Sequence, residues 1–227
     1  MLLPSGRAVP VDVRRHARSR RFVLRVSGGV IQLTIPTRAR LRDADAWLRT
    51  QADFIARQLA AEGDPVPFVM GARLPVLGET VSLVPGLTRH GLVDAGTLAI
   101  TPAAPDVLAG RVEACLRRTV REAATSDLRS AWDALAVPPA EVTVRAYRRR
   151  WGACARDGRT AINWRLVFAP RDVLRYVCVH EAAHRVEMNH GPRFWQLVEA
   201  LMPGFRAEER WLRENGARLA VFGQAPG

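Results

Sequence analysis

The chain has 227 residues, 48% hydrophobic and 25% charged, which is too apolar for disorder. No run approaches the roughly 20 apolar residues of a membrane span, so no membrane association is expected. All 34 basic residues are arginine and the formal net charge is +12, which predicts attraction to polyanions without selecting one.

Residues 9–35 read as short strands. VPVDV, RFVLRV and VIQLTIP alternate in part and carry β-branched residues, and Ser27-Gly28-Gly29 is a hairpin signal. Residues 1–42 hold ten arginines against one acid, Asp12. The densest cluster, RRHARSRR (14–21), makes Arg14, Arg15, Arg20 and Arg21 candidates for binding nucleic acid or another polyanion. A solvated strand face is the competing reading. Over residues 43–59 an apolar stripe of Trp47, Leu48, Phe54, Ile55 and Leu59 behind Asp43 or Asp45 predicts one helix. Proline and glycine then punctuate 63–105, with strand candidates at 79–85 and 97–101. TPAAP (101–105) is the expected boundary between a β-rich, basic N-terminal region (1–102) and a second domain (103–227).

Past that linker, Leu108, Val112, Cys115, Leu116, Val120, Leu128, Trp132 and Leu135 recur at helical spacing until Pro138-Pro139. EVTVRAY (141–147) alternates as a strand. RWGACARDGRTAINWRLVF (150–168) reads as a hairpin turning at Asp157-Gly158. Pro170 suits the first turn of a helix running from about Arg171 to Glu187. Cys115, Cys154 and Cys178 are far apart and form no C-x-x-C, which argues for a reducing compartment. The N-terminus lacks the apolar region of a signal peptide, so a soluble, cytoplasmic protein is expected, its oligomeric state open.

The chemistry concentrates in HEAAHRVEMNH (180–190), which holds three of the five histidines. His180 and His184 are four apart and share one helix face, so both imidazoles can reach one ion. Glu181 is rotated about 100° from His180 and is placed to act on a water at that ion. The chance expectation for H-E-x-x-H at this composition is roughly 0.005 matches. The helix is apolar nearly all round, and buried ionisable groups are costly unless a cation satisfies them. A third ligand would hold zinc and leave one position open. His190, six residues beyond His184, has the spacing of H-E-x-x-H-x-x-G-x-x-H, although Glu187 stands where that motif has glycine. Asn189 and Gly191-Pro192 could then supply the turn. Glu199, Glu208 and Glu209 are the rival third ligands.

HEAAHRVEMNHGPRFW (180–195) resembles the signature of the YgjP-like predicted metal-dependent hydrolases, zincin-fold proteins related to the WLM and SprT-like metalloproteases. RRRWGACARDGRTAINWRLVFAP (148–170) is similar to the family's R-W-G-S-C block followed by N-W-R-L and A-P, with Ala153 where serine is frequent. The Arg-rich N-terminal strands and FVMGARLPVLGETVSLV (68–84) are similar more weakly. The resemblance implies an α+β, zincin-like catalytic domain, zinc on His180, His184 and His190, and Glu181 as the catalytic acid/base.

Asn163, Arg165, Tyr147 and Tyr176 are candidate transition-state stabilisers, and TAINWRLV (160–167) is the candidate strand edge for an extended substrate. The expected activity is zinc-dependent hydrolysis of a peptide or protein. The alternatives are a nucleic-acid-associated protein using its basic arm and a structural zinc protein without catalysis.

Overall fold

The structure, a computed structural model, describes residues 1–224 except Pro4, Ser5, Arg7, Gly28 and Arg148. It is α+β and divides by contacts into two compact units, residues 1–67 with 217–227, and residues 68–216.

In the first unit, β1 (Val11–His16), β2 (Val23–Ser27) and β3 (Val30–Pro36) form a sheet in the order β1-β3-β2. β1 runs parallel and β2 antiparallel to β3. Burial alternates along β3, so Ile31, Leu33 and Ile35 face the core. Of the hairpin signal between β2 and β3, Gly28 lies outside the described residues. The helix expected over 43–59 is two helices, α1 (Leu41–Thr50) and α2 (Ala52–Glu62). The break follows from a side chain competing with the helix: Thr50 Oγ1 donates back to Trp47 O at 2.6 Å. Gln51 then sits outside helical geometry with ψ 8°. Leu48, Ile55 and Leu59 close the core over Leu3, Val9 and β3. A parallel bridge between Val66 and Phe222 returns the C-terminal residues to this unit.

In the second unit, β4 (Arg73–Val76), β5 (Glu79–Pro85), β6 (Leu92–Asp94) and β7 (Thr97–Ile100) form a sheet in the order β4-β5-β7-β6. α3 (Pro105–Ala134) buries the expected stripe from Leu108 to Trp132. The TPAAP segment therefore joins β7 to α3 inside this unit, and the contact division falls at residue 67 instead of 102. The physical reason is direct contact: Leu77 N–H donates to Val167 O at 2.7 Å, and β6 packs on α3.

Three short strands complete the frame of the site. β8 (Val142–Arg145) lies parallel and β9 (Gly152–Cys154) antiparallel to β10 (Thr160–Asn163), in the order β8-β10-β9. The hairpin turns at Asp157-Gly158 as expected. Trp164–Phe168, read as strand, is a buried 3-10 turn capped by the Asn163 side chain. The expected substrate-strand edge at 160–167 is consequently corrected: β10 is the central strand, and β9 is an outer one.

α4 (Arg171–Ala183) carries His180 and Glu181, has His184 as its C-cap, and is covered by α3, β9, α5 (Pro192–Leu201) and α6 (Arg206–Asn215). Arg171 grips both oxygens of Asp127 and ties the first turn of α4 to α3. Among the described residues no helix is long and apolar enough to cross a membrane.

Candidate metal centre

α4 ends at Ala183, four residues sooner than the spacing predicts. Tight bonds from Arg185 N–H to Ala182 O and from Val186 N–H to Ala183 O close it, and Glu187 Oε1 accepts from Asn189 N–H at 3.3 Å. Neither Asn189 nor Gly191 adopts a left-handed conformation, so the expected device for the turn is not the one used. The early exit leaves room for His190 to come back beside the helix. Gly191-Pro192 then starts α5, with Pro192 in its first turn.

His180, His184 and His190 each offer a ring nitrogen within 4.8 Å of the others. His180 Nε2 and His190 Nε2 stand 3.0 Å apart. His184 Nδ1 lies 3.2 Å from Glu187 O; a carbonyl only accepts, so this nitrogen carries the proton and Nε2 presents its lone pair. Burial first, and then the neighbouring imidazoles, push the His180 pKa down to about 4, and burial lowers that of His184. Neutral imidazoles with converging lone pairs are a donor set for a divalent cation, so the residues present fit the ion that the sequence implies. Phe194, fully buried, packs against all three rings at 4.7–4.9 Å between centroids. Trp195 stacks on His190 and donates its indole N–H to His190 O at 3.1 Å.

Glu181 is 6% exposed and faces β9. Burial raises its carboxyl pKa to about 7, against the opposing pull of Arg150 and of the Cys154 backbone N–H. The carboxyl has room only because residue 152 is glycine. A Cβ there would press on Glu181 Oε1 and stand 2.6 Å from Cγ and 2.8 Å from Cδ. A glycine inside a strand marks such close approaches, and Gly152 in RWGAC was that signal.

The other candidates divide. Tyr176, one turn before His180, contacts its ring edge-on at 6.0 Å and stacks on Phe205 at 5.7 Å; burial raises its pKa. Asn163 gives both amide hydrogens to backbone carbonyls, of Tyr147 at 2.9 Å and Arg150 at 3.0 Å, so none is left for a substrate oxygen. It pins the loop that brings Arg150 near Glu181. Tyr147 carries the Arg150 guanidinium over its ring at 5.4 Å. Arg165 lies over Trp164, with Glu113 and Arg117 of α3 as its charged neighbours. Of the rival ligands, Glu199 accepts from Gly204 N–H and Glu209 pairs with Arg206. Cys115 and Cys178 are buried and unpaired. In the first unit Arg14, Arg20 and Arg21 are exposed, Arg20 and Arg21 on a groove of about 900 Å³ with Phe22, Trp47 and Phe54. Arg15 is tied to the carbonyls of Thr37 and Ala39.

Three imidazoles and a buried carboxyl on and beside one helix define a candidate centre for metal-assisted hydrolysis. The family model described as YgjP-like, metallopeptidase domain, matches residues 20–215, and the chain belongs to that family. Membership supports a metal-dependent peptidase and implies a bound metal ion. No curated protein matches the sequence. Among solved structures, the metallopeptidase zymogen abylysin of Pyrococcus abyssi is similar at 24% identity over 40% of this chain and 93% of that one, with a TM-score of 0.36.

Proposed function

We propose that this chain is a zinc-dependent peptidase in which His180, His184 and His190 hold the ion and Glu181 carries the protons. The observation that supports it most is the convergence of three ring nitrogens within 4.8 Å beside a buried carboxyl. Zinc is favoured by an all-nitrogen donor set of three, which leaves a position for water or substrate. When bound, the ion supplies Lewis acidity toward a scissile carbonyl and toward water. Glu181, titrating at about 7, is suited to take a proton from the attacking water and return it to the leaving amine. Gly152 and burial hold that carboxyl in one seat. Trp195 and Phe194 hold His190, the ligand that comes from a loop.

The test is metal content and hydrolysis of an unstructured protein by the wild type, His180→Ala and Glu181→Gln. About one zinc per chain is expected, lost in the first variant and kept in the second, with hydrolysis lost in both. Full activity in Glu181→Gln would make the site structural, and a wild type that takes up no zinc would end the reading.

A reducing, cytoplasmic setting is part of the proposal, supported by the unpaired cysteines. A second reading, attachment to nucleic acid through the N-terminal arm, is favoured by the exposure of Arg14, Arg20 and Arg21. Salt-sensitive retention on DNA that survives neutralisation of these three would count against it.

A further inference from the structure

One face of the β8-β10-β9 sheet packs toward α4, and the other is open. Side chains alternate across a strand, so the register assigns residues to faces. Ile162 and its partner Gly152 face α4, Ile162 fully buried and Gly152 against Glu181. Thr143, Ala161 and Ala153, aligned one beside the next, form a floor of small half-buried residues on the opposite face. Arg145, Tyr147, Arg150, Arg159 and Glu141 rim this groove of about 490 Å³. Its charge is unbalanced. Arg159 is paired with Asp157 at 2.8 Å, but Arg145 makes no ion pair among the described residues. Arg150 acts electrostatically on Glu181.

We propose that this groove selects acidic side chains of an extended peptide substrate, with Arg145 and Arg150 as the selecting groups. The identity of the ligand rests on the peptidase reading above. β9 is an outer strand, and a chain lying along it would send alternate side chains onto the Thr143–Ala161–Ala153 face. Guanidinium forks match carboxylates, and the floor leaves them depth to reach in. A nucleic acid is the poorer match: the floor has no aromatic platform, and one face of Tyr147 already carries Arg150.

The experiment compares two fluorescent decapeptides, one alternating Glu with Ala and one alternating Gln with Ala. Binding to the full zinc-loaded chain is read by stopped-flow anisotropy before turnover, and kcat/KM is then measured on both. The Glu peptide is expected to bind on the order of 10-fold more tightly, with that preference falling to about twofold or less when Arg145→Gln and Arg150→Gln are combined. Arg145→Glu, which a merely misfolded variant could not mimic, is expected to shift preference toward a Lys-Ala peptide. Equal binding of the Glu and Gln peptides by the wild type would overturn the proposal, as would a preference untouched by the variants. So would an oligothymidylate that binds more tightly than the Glu peptide and is lost in the same variants. A wild type that binds the Glu peptide selectively and cleaves neither supports the groove while overturning the peptidase reading. Cleavage of both with equal kcat/KM and no binding preference does the reverse.

Discussion

Gly152→Ala tests whether the seat of Glu181 is what requires glycine at this position. Gly152 does not occupy the left-handed region, so alanine carries no backbone strain there. The whole cost is the methyl group, which would meet Glu181 Cγ at 2.6 Å and Cδ at 2.8 Å. Ordinary carbon contacts are about 3.5–4.0 Å, so the carboxyl must retreat by roughly 1 Å. Glu181 is 6% exposed and has little free volume to retreat into. Overpacking of this kind costs about 1–3 kcal/mol, and displacing a reacting group by about 1 Å costs on the order of 100-fold in rate. The assay is a double-mutant cycle with Glu181→Ala, read by urea unfolding of the zinc-free chain, with kcat and zinc content measured for the two chains that keep Glu181. Glu181→Ala removes the atoms that the methyl would strike. Gly152→Ala should therefore be nearly neutral in that background and destabilising only when Glu181 is present. Zinc content should survive in the single Gly152→Ala variant while kcat falls. Equal destabilisation in both backgrounds would refute the reasoning and assign the glycine to the backbone of β9.

The remaining expectations concern the partners of the site. Trp195→Ala removes both the stack on His190 and the hydrogen bond to its carbonyl, and should weaken zinc binding about 10–100-fold in a chelator competition, with Trp195→Phe between it and the wild type; unchanged affinity would show that the loop holds His190 unaided. The Glu181 carboxyl titrates at about 7 in the fold against 4.5 as an ordinary carboxyl, so the folded state keeps this proton more tightly and its contribution to stability is lost as pH rises between those values. Zinc-free Glu181→Gln should accordingly match the wild type at pH 4 and exceed it at pH 8, by up to about 3 kcal/mol in urea unfolding; a gap independent of pH would contradict the burial argument. Asn163→Ala strips donors from the carbonyls of Tyr147 and Arg150 and should cost about 2 kcal/mol in thermal unfolding, with zinc affinity unchanged. A loss of zinc in that variant would instead tie Asn163 to the histidines.

What could be read in the sequence was whatever one element decides by itself. His180 and His184 needed only the period of a helix, and the stripe from Leu108 to Trp132 needed the same. The strand at 79–85 and the hairpin at Asp157-Gly158 followed from alternation and turn chemistry. What failed depended on competition between neighbours. Thr50 splits a helix that periodicity makes continuous, because its hydroxyl binds a backbone carbonyl. The apolar run at 164–168 looks like strand, yet a capping Asn163 turns it into a 3-10 segment. Arg165 was a candidate for the site by its place in the chain, and that same turn carries it toward Glu113 and Arg117. Gly152 was visible as a residue but not as a seat, since only the packing of β9 on α4 gives it Glu181 as a neighbour.

β9 is only three residues long, Gly152-Ala153-Cys154, and the smallness of its side chains follows from the alternation of a strand. A strand sends successive residues to opposite sides, so neighbours in sequence serve separate surfaces. Position 152 is limited by the Glu181 carboxyl, which leaves space for hydrogen alone. Position 153 lies on the floor beside Ala161, where each added carbon would fill the groove on the open face. Cys154 returns to the α4 side, where its backbone N–H acts on the Glu181 carboxyl and burial raises its thiol pKa. A helix could not do this, because its neighbours in sequence are rotated by only about 100° and share much of one surface. β9 thus presents one position to the carboxyl that would move protons and the next to the groove whose arginines would choose the substrate. A large residue at either position should disturb one function and spare the other.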